Sequence, residues 1–239
     1  MTIDTQTKLD SYFSNREVDP TYYSSYKIPR YLKPHLPKDK NAKVLDVGCG
    51  YGQFLFALTQ LGYENTKGID INNESINECK SKGLNVEQIT DIRDFARQSN
   101  EKFDLITMSH VLEHIDKDKI IDTLAYIKKY LLNEGGEFIL MVPNAQSYTG
   151  AYWRYEDFTH TIMFTAGSCI YVLKAAGFNV INFIDADGTQ HMSGWKRAII
   201  KALISCHKIR EDFWNMVLQT SFHKPSPRIY SFELKVSAR

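Results

Sequence analysis

The stretch Lys43-Val44-Leu45-Asp46-Val47-Gly48-Cys49-Gly50-Tyr51-Gly52-Gln53 reads as a strand, a tight turn and the start of a helix in direct succession. Val44 to Val47 is a short apolar run of strand-forming residues. Three glycines follow at alternate positions, and Phe54-Leu55-Phe56-Ala57-Leu58 opens a helical pattern. A buried strand that delivers a glycine turn to a helix N-terminus is the smallest nucleotide-binding unit of an open α/β sheet. Without Cβ atoms the chain can turn sharply there, and a ligand can lie directly on the backbone. The spacing is G-x-G-x-G, not the G-x-G-x-x-G of dinucleotide sites, which disfavours a nicotinamide-dependent oxidoreductase. Asp46 stands just before the first glycine. Its carboxylate repels a pyrophosphate and attracts a ligand that carries an ammonium group.

Outward from this unit the chain alternates strand and helix. The first strand and helix are predicted at about 43–48 and 51–62, and Thr66 to Ile71 is a second strand ending in Asp70. An amphipathic helix over 72–82 stops at Gly83, a third strand spans 86–89 and a fourth 103–108. Residues 118–133 carry a long apolar stripe and predict one helix, ended by Gly135-Gly136, before a fifth strand over 137–144. Regular β-α-β alternation implies a parallel sheet with helices on both faces. The pattern then breaks. Residues 146–165 are too polar for core and too aromatic for an ordinary linker, and long loops at strand C-termini are usually functional. A helix follows to Ala176, then a sixth strand over 180–186, a helical segment over 195–218 and a last strand over 228–236. The expected fold is α/β: a seven-stranded sheet, mostly parallel with the last strand antiparallel. It is expected as a single domain over 1–239, with an N-terminal lid (1–40), a cofactor core (41–187), a helical insertion (188–227) and the last strand (228–239).

With 43% hydrophobic and 24% charged residues, the composition is that of an ordinary globular protein. Lys plus Arg total 29 and Asp plus Glu 28, a net charge of +1 that argues against a general nucleic-acid binder. Cys49, Cys79, Cys169 and Cys206 are scattered without a C-x-x-C pair, so neither a zinc site nor a disulfide framework is expected and a reducing cytoplasm fits. Met1 to Asp10 lacks the apolar core of a signal peptide. No apolar run approaches the roughly 18 residues of a membrane span, so stable membrane insertion is not expected.

Val44-Leu45-Asp46-Val47-Gly48-Cys49-Gly50-Tyr51-Gly52 resembles the first motif of the class I S-adenosylmethionine-dependent methyltransferases, whose sheet is Rossmann-like. The resemblance implies S-adenosylmethionine as cofactor and S-adenosylhomocysteine as product, held around Asp46, Gly48, Cys49, Gly50 and Gln53. Asp70, with Ile71 beside it, lies about 20 residues beyond the turn, where a carboxylate reaches ribose hydroxyls. Asp91 and Ile92 match the acid that meets the adenine amino group and the apolar residue that stacks on the ring, with Asp94 as a rival for the acid. Ser109-His110-Val111-Leu112-Glu113-His114 resembles the family's fourth motif, so Ser109 and His110 flank the methionine part. His110 and His114 are four apart, but the zinc-protease pattern needs Glu directly after the first His, and Val111 stands there; no metal is expected. The run from Arg154 through Tyr155, Asp157, Phe158, Thr159 and His160 resembles methyltransferases of bacterial surface-polysaccharide (capsule and O-antigen) pathways.

Methyl transfer from a sulfonium needs an acceptor held in line and, for a hydroxyl or ammonium, a base. His160, His110, Asp157 and Tyr26 are the base candidates. Tyr22, Tyr26, Arg30, Trp153, Arg154, Tyr155 and Asp157 are the acceptor-pocket candidates, because rings stabilise cations and Arg holds anions. The expected acceptor is a small molecule rather than nucleic acid: a sugar hydroxyl or amine, or alternatively a phosphorylated amino alcohol such as phosphoethanolamine. A non-catalytic nucleotide-binding protein is the alternative from another class. The apolar helix over 195–218 is a candidate homodimer contact.

Overall fold

In the computed structural model, residues 12–18, 25–223 and 226–239 are described; Tyr22 lies outside them. Among the described residues, seven strands form one sheet in the order β3-β2-β1-β4-β5-β7-β6. The strands are β1 (Val44–Val47), β2 (Thr66–Asp70), β3 (Val86–Gln88), β4 (Phe103–Ser109), β5 (Leu132–Pro143), β6 (Ile181–Phe183) and β7 (Glu233–Ala238). β1 to β5 pair in parallel, and β7 runs antiparallel to both β5 and β6. The expected sheet, with its last strand reversed, is borne out.

Successive residues of a strand face opposite sides, and here both sides are buried. Leu45, Val47, Ile106, Met108, Phe138 and Leu140 belong to one apolar cluster. Val44, Leu105, Ile139 and Met141 belong to another, which also takes in Ile28 and Leu32. This two-sided burial explains why the strands read as continuous apolar runs. The helices that follow the strands are α2 (Gln53–Gln60), α3 (Asn73–Ser81), α4 (Ile92–Gln98), α5 (Ile120–Tyr126), α6 (Gly150–Glu156), α7 (Ala166–Ala175) and α8 (Gly194–Val217), after a single turn, α1 (Tyr12–Asn15). Side chains start several of them: Asn72 accepts from Ser75 N at 2.8 Å, and Thr165 and Ser168 form a capping box on α7. Because β1 is followed by β2 on one side and flanked by β4 on the other, the strand order reverses at β1. The glycine turn leaves the sheet at that switch point, where open α/β sheets bind ligands.

Three boundaries differ from expectation. The helix predicted over 118–133 ends earlier. α5 passes into a π-helical turn at Ile127–Leu131, and β5 already starts at Leu132. Gly135-Gly136 is therefore no helix stop but part of a bulge. Phe103 pairs with Leu132 and Leu105 with Glu137, and Gly135 takes a left-handed φ of 75° to absorb the extra residues. The loop predicted over 146–165 contains α6. The last strand begins at Glu233, not Arg228, because the preceding side chains serve α8: Arg228 pairs with Asp212 at 2.7 Å and Tyr230 donates to Glu211 at 2.6 Å. The sixth strand is confined to 181–183, and Asp185 then turns with φ 46° and pairs with buried Lys235.

α8 matches the predicted helical segment and has no buried residue. Its polar side chains hold it to the body, through Arg197 to Thr189 at 3.2 Å and through Arg210 to Tyr148. Trp195, Ile209, Trp214 and Met216 face outward, each more than half exposed. No described helix is long and apolar enough to cross a membrane.

Candidate active site

The glycine turn is built by its neighbours as much as by itself. Gly48 and Gly50 have φ of 72° and 51°, left-handed values that cost most residues free energy. A Cβ at Gly48 would lie 2.1 Å from Val111 Cγ2, so the turn packs without a gap against the residues that leave β4. Gly50 N–H donates to Asp70 Oδ2, and Asn72 N–H donates to Asp70 Oδ1, both at 2.8 Å. Asp70 thus ties the end of β2 to the turn. Asp46 is buried and accepts from Thr107 Oγ1 at 2.6 Å. Burial pushes its carboxyl up to about 7 against the opposing Thr107 hydrogen bond, with the nearby Asp70 charge adding to the rise. Burial likewise raises Asp70, against its backbone hydrogen bonds. Cys49 is buried, its sulfur packed where a Cβ on Gly68 would lie. Gln53 opens α2, and its Oε1 is buried without a hydrogen-bond partner among the described residues.

Asp91 caps α4 by accepting from Arg93 N at 2.7 Å, and its carboxylate also takes the Arg93 guanidinium at 2.6 Å. In this structure it is therefore already engaged. Ile71 and Ile92 are half-buried against the main core.

Past Ser109 the chain turns through His110, a non-glycine residue at φ 53°. Such strain persists only where the surroundings hold it. His110 N–H donates to Met141 O at 2.9 Å, and the imidazole stands 3.1 Å from Glu233 and 3.3 Å from Glu113. Burial lowers a histidine, but here the two carboxylates outweigh it and raise His110 well above its usual value. With the ring 45% exposed the desolvation is partial, so the two carboxylates favour the protonated form, which is suited to donate rather than to take a proton. Burial, with the charges of Asp46 and Glu233, also raises the Tyr26 phenol.

The loop after β5 folds over the same edge. His160 is buried, and its Nδ1 is 2.8 Å from Trp153 O. Its Nε2 lies 3.9 Å from Glu113 Oε1 and 3.8 Å from Asp157 Oδ2. Arg154 turns back and donates to the carbonyls of His160 and Thr161, which fixes the loop. Asp157 accepts from Thr159 N, Thr159 Oγ1 and Tyr12 OH and pairs with Arg16 at 2.8 Å, so α1 is fastened to this loop. Burial would raise its carboxyl, but those hydrogen bonds win and hold it down at about 2. Tyr155 is exposed, Trp153 half-buried, and Arg30 exposed on the N-terminal segment.

The structure thus brings Asp46, the glycines, Asp70 and Gln53 together at one strand edge. It brings His110 and His160 to Glu113 beside it. Arg30 and Tyr155 stay on the surface. Glu113, Glu233 and Thr107 are central to this geometry and were not among the expected site residues. Glu113 did carry a signal, as a charged residue inside the otherwise apolar turn Val111-Leu112.

A model of the methyltransferase domain family matches residues 21–182, more than half of the chain. The chain belongs to that family. A tRNA U34 carboxymethyltransferase of Vibrio campbellii is 26% identical over 205 residues, covering 74% of this chain and 58% of that protein. A ubiquinone biosynthesis O-methyltransferase of Actinobacillus pleuropneumoniae is 38% identical over 82 residues, covering 30% of this chain and 35% of that protein. The chain thus spans little more than half of the first and about a third of the second. Among solved structures, an S-adenosylmethionine-dependent methyltransferase from Archaeoglobus fulgidus has a TM-score of 0.61 at 21% identity, covering 98% of this chain and 99% of that one. DhpI in complex with S-adenosylmethionine has a TM-score of 0.56 at 14% identity, covering all of both chains. The fold is that of the S-adenosylmethionine-dependent methyltransferases, as the glycine motif implied.

Proposed function

We infer that this chain transfers a methyl group from S-adenosylmethionine to a small polar acceptor, a sugar hydroxyl or an amine. In this reading the glycine turn carries the methionine end of the cofactor, whose ammonium faces two acceptors, Asp46 and the unpartnered Gln53 Oε1. Asp70 meets the ribose and Ile92 the adenine. The observation that carries the acceptor side is the enclosure of His160. Its ring is 6% exposed beneath α6, beside a carboxylate on the turn that leaves β4. An enclosed group of this kind serves a small acceptor better than a macromolecule. His160 fits the proton-accepting role better than His110, whose two carboxylate neighbours favour its protonated form, or Tyr26, whose phenol is raised. The run from Arg154 to His160 supports an acceptor in surface-polysaccharide synthesis. The relatives' names point to other acceptors, a tRNA nucleoside and a ubiquinone precursor. A screen of sugar nucleotides, phosphoamines, a transcribed tRNA and a phenolic ubiquinone precursor, read by mass spectrometry for the gain of one methyl, tests the reading. Methylation of a sugar nucleotide or amine is the expected result, and methylation confined to the tRNA or the phenol overturns it.

Asp46 adds a pH dependence. An ammonium beside it favours the ionised carboxylate, so cofactor binding drives the proton off a group that holds it up to about pH 7 in the free protein. The dissociation constant should therefore tighten as pH rises toward neutrality, by up to about tenfold per pH unit for one released proton. Without cofactor the sign for stability is opposite. The folded state keeps a proton that the unfolded chain loses near the ordinary aspartate value of 3.8, so this residue's contribution falls as pH rises from there to about 7. Calorimetry across that range reads the first effect, and Asp46→Asn should flatten it. A profile that is flat in the unmodified protein would remove Asp46 from the ammonium site.

A further inference from the structure

We propose that Glu113, His114 and His160 form a binding site for a divalent transition-metal ion of the zinc or cobalt type. One donor atom from each of the three lies within 4.8 Å of the others. Glu113 is the first reason. Its side chain is fully buried, yet among the described residues neither carboxylate oxygen has a hydrogen-bond partner. His110 Nδ1 stands 3.3 Å from Oε1 but too poorly aligned to bond. His110 offsets part of the charge of this buried carboxylate without an aligned hydrogen bond, so both oxygens keep lone pairs free, and buried carboxylates are normally paired, hydrogen-bonded or bound to metals.

The tautomers of the two histidines are the second reason. His160 Nδ1 faces the Trp153 carbonyl at 2.8 Å, and a carbonyl can only accept, so the ring proton sits on Nδ1. Its Nε2 then turns a lone pair toward Glu113. His114 Nδ1 is 2.8 Å from Thr159 Oγ1, and that hydroxyl already donates its one proton to Asp157 Oδ1 at 2.6 Å. His114 must therefore donate through Nδ1, and its Nε2 keeps the lone pair. Both rings show the arrangement of metal-ligating histidines, in which the far nitrogen donates to an oxygen that fixes tautomer and orientation. Two histidines with one free nitrogen each and a carboxylate without a hydrogen-bond partner among the described residues thus share one small space, with His110 at its edge. A cation completes such a set, and nitrogen with carboxylate oxygen suits zinc-type ions better than magnesium or calcium.

Three protein ligands leave at least one position open on such an ion. The inference rests on the acceptor side of the proposed reaction. With the ion bound, His160 Nε2 is a ligand and not a base; an acceptor hydroxyl at the open position would have its pKa lowered by the ion and would give its proton to solvent water, which gives the cluster a purpose in methyl transfer to oxygen.

The test uses the full chain, stripped with a chelator and titrated with cobalt(II) as a visible probe, with zinc as competitor. One cobalt per chain, showing the d–d absorption of a low-coordinate site and displaced by zinc, is expected. Glu113→Gln and His114→Ala should each weaken binding at least tenfold, and Thr159→Val, which frees the His114 ring and also removes one hydrogen bond to Asp157, by about 10–100-fold. Retained calorimetric binding of S-adenosylmethionine would show that each variant is folded. Absence of cobalt binding in the unmodified chain overturns the proposal, as does binding that all three variants retain. Cobalt binding by a chain that methylates none of the screened acceptors would overturn the acceptor reading and leave the metal site standing.

Discussion

Gly48→Val is expected to abolish measurable binding of S-adenosylmethionine. Two independent effects add at this position. The residue sits at φ 72°, where a β-branched side chain is strained by about 1–3 kcal/mol. The new Cβ would also meet Val111 Cγ2 at 2.1 Å, far inside contact distance. Val111 lies between His110 and Glu113, so relief of the clash shifts the turn after β4 as well as the glycine turn. Gly62 separates the two effects. It has φ 81° with nothing within 4 Å of its Cβ direction, so Gly62→Val carries the strain without the collision and should leave the dissociation constant unchanged. Calorimetry on both variants, with thermal midpoints alongside, reads the difference. Normal affinity in folded Gly48→Val would mean that the cofactor does not lie on this turn.

His160→Ala should lower turnover by roughly 10²–10⁴-fold, the usual worth of a positioned proton acceptor. The loss is expected whether the ring takes the proton or holds the ion that activates the acceptor. Cofactor affinity should change little, since the glycine turn, Asp46 and Asp70 belong to the first two strands and the turn between them. A fall in kcat with an unchanged cofactor dissociation constant is thus the expected signature. Near-normal turnover would remove His160 from the reaction. Loss of cofactor binding would instead make the loop a structural support of the turn.

Local signals were enough to read the first four strands, because each is an apolar run bounded by a glycine or polar break. Gly135-Gly136 misled for a physical reason. Paired glycines stop helices and also permit bulges, and only the neighbouring strand decides between them. The start of the last strand could not be read, since Arg228 and Tyr230 find partners on α8, which no periodicity reveals. The cofactor edge was legible because strand, turn and acid recur at fixed spacing. Tyr12 reaches Asp157 across 145 residues, and Arg154 folds back on its own loop. A charged side chain in a sequence shows what it can bind and not what already binds it. The burial of Glu113 was hidden for the same reason, as its cover comes from a loop nearly fifty residues further on.

β7 carries one more consequence. It lies inside the sheet, between β5 and β6, although it is the last strand in sequence. Until it is made, β6 has no strand to pair with and β5 presents an open edge. The long helix α8 is also synthesised before the strand that closes this half of the sheet. Pairing of β5 with β7 joins residues about a hundred positions apart, as Phe138 with Ala238. Closing so long a loop is slow, and an unpaired edge invites association with other chains meanwhile. The half of the sheet that holds the glycine turn can form from local β-α-β units, whereas the half that holds Glu233 must wait. During synthesis the cofactor edge is therefore assembled before the wall against which His110 is held.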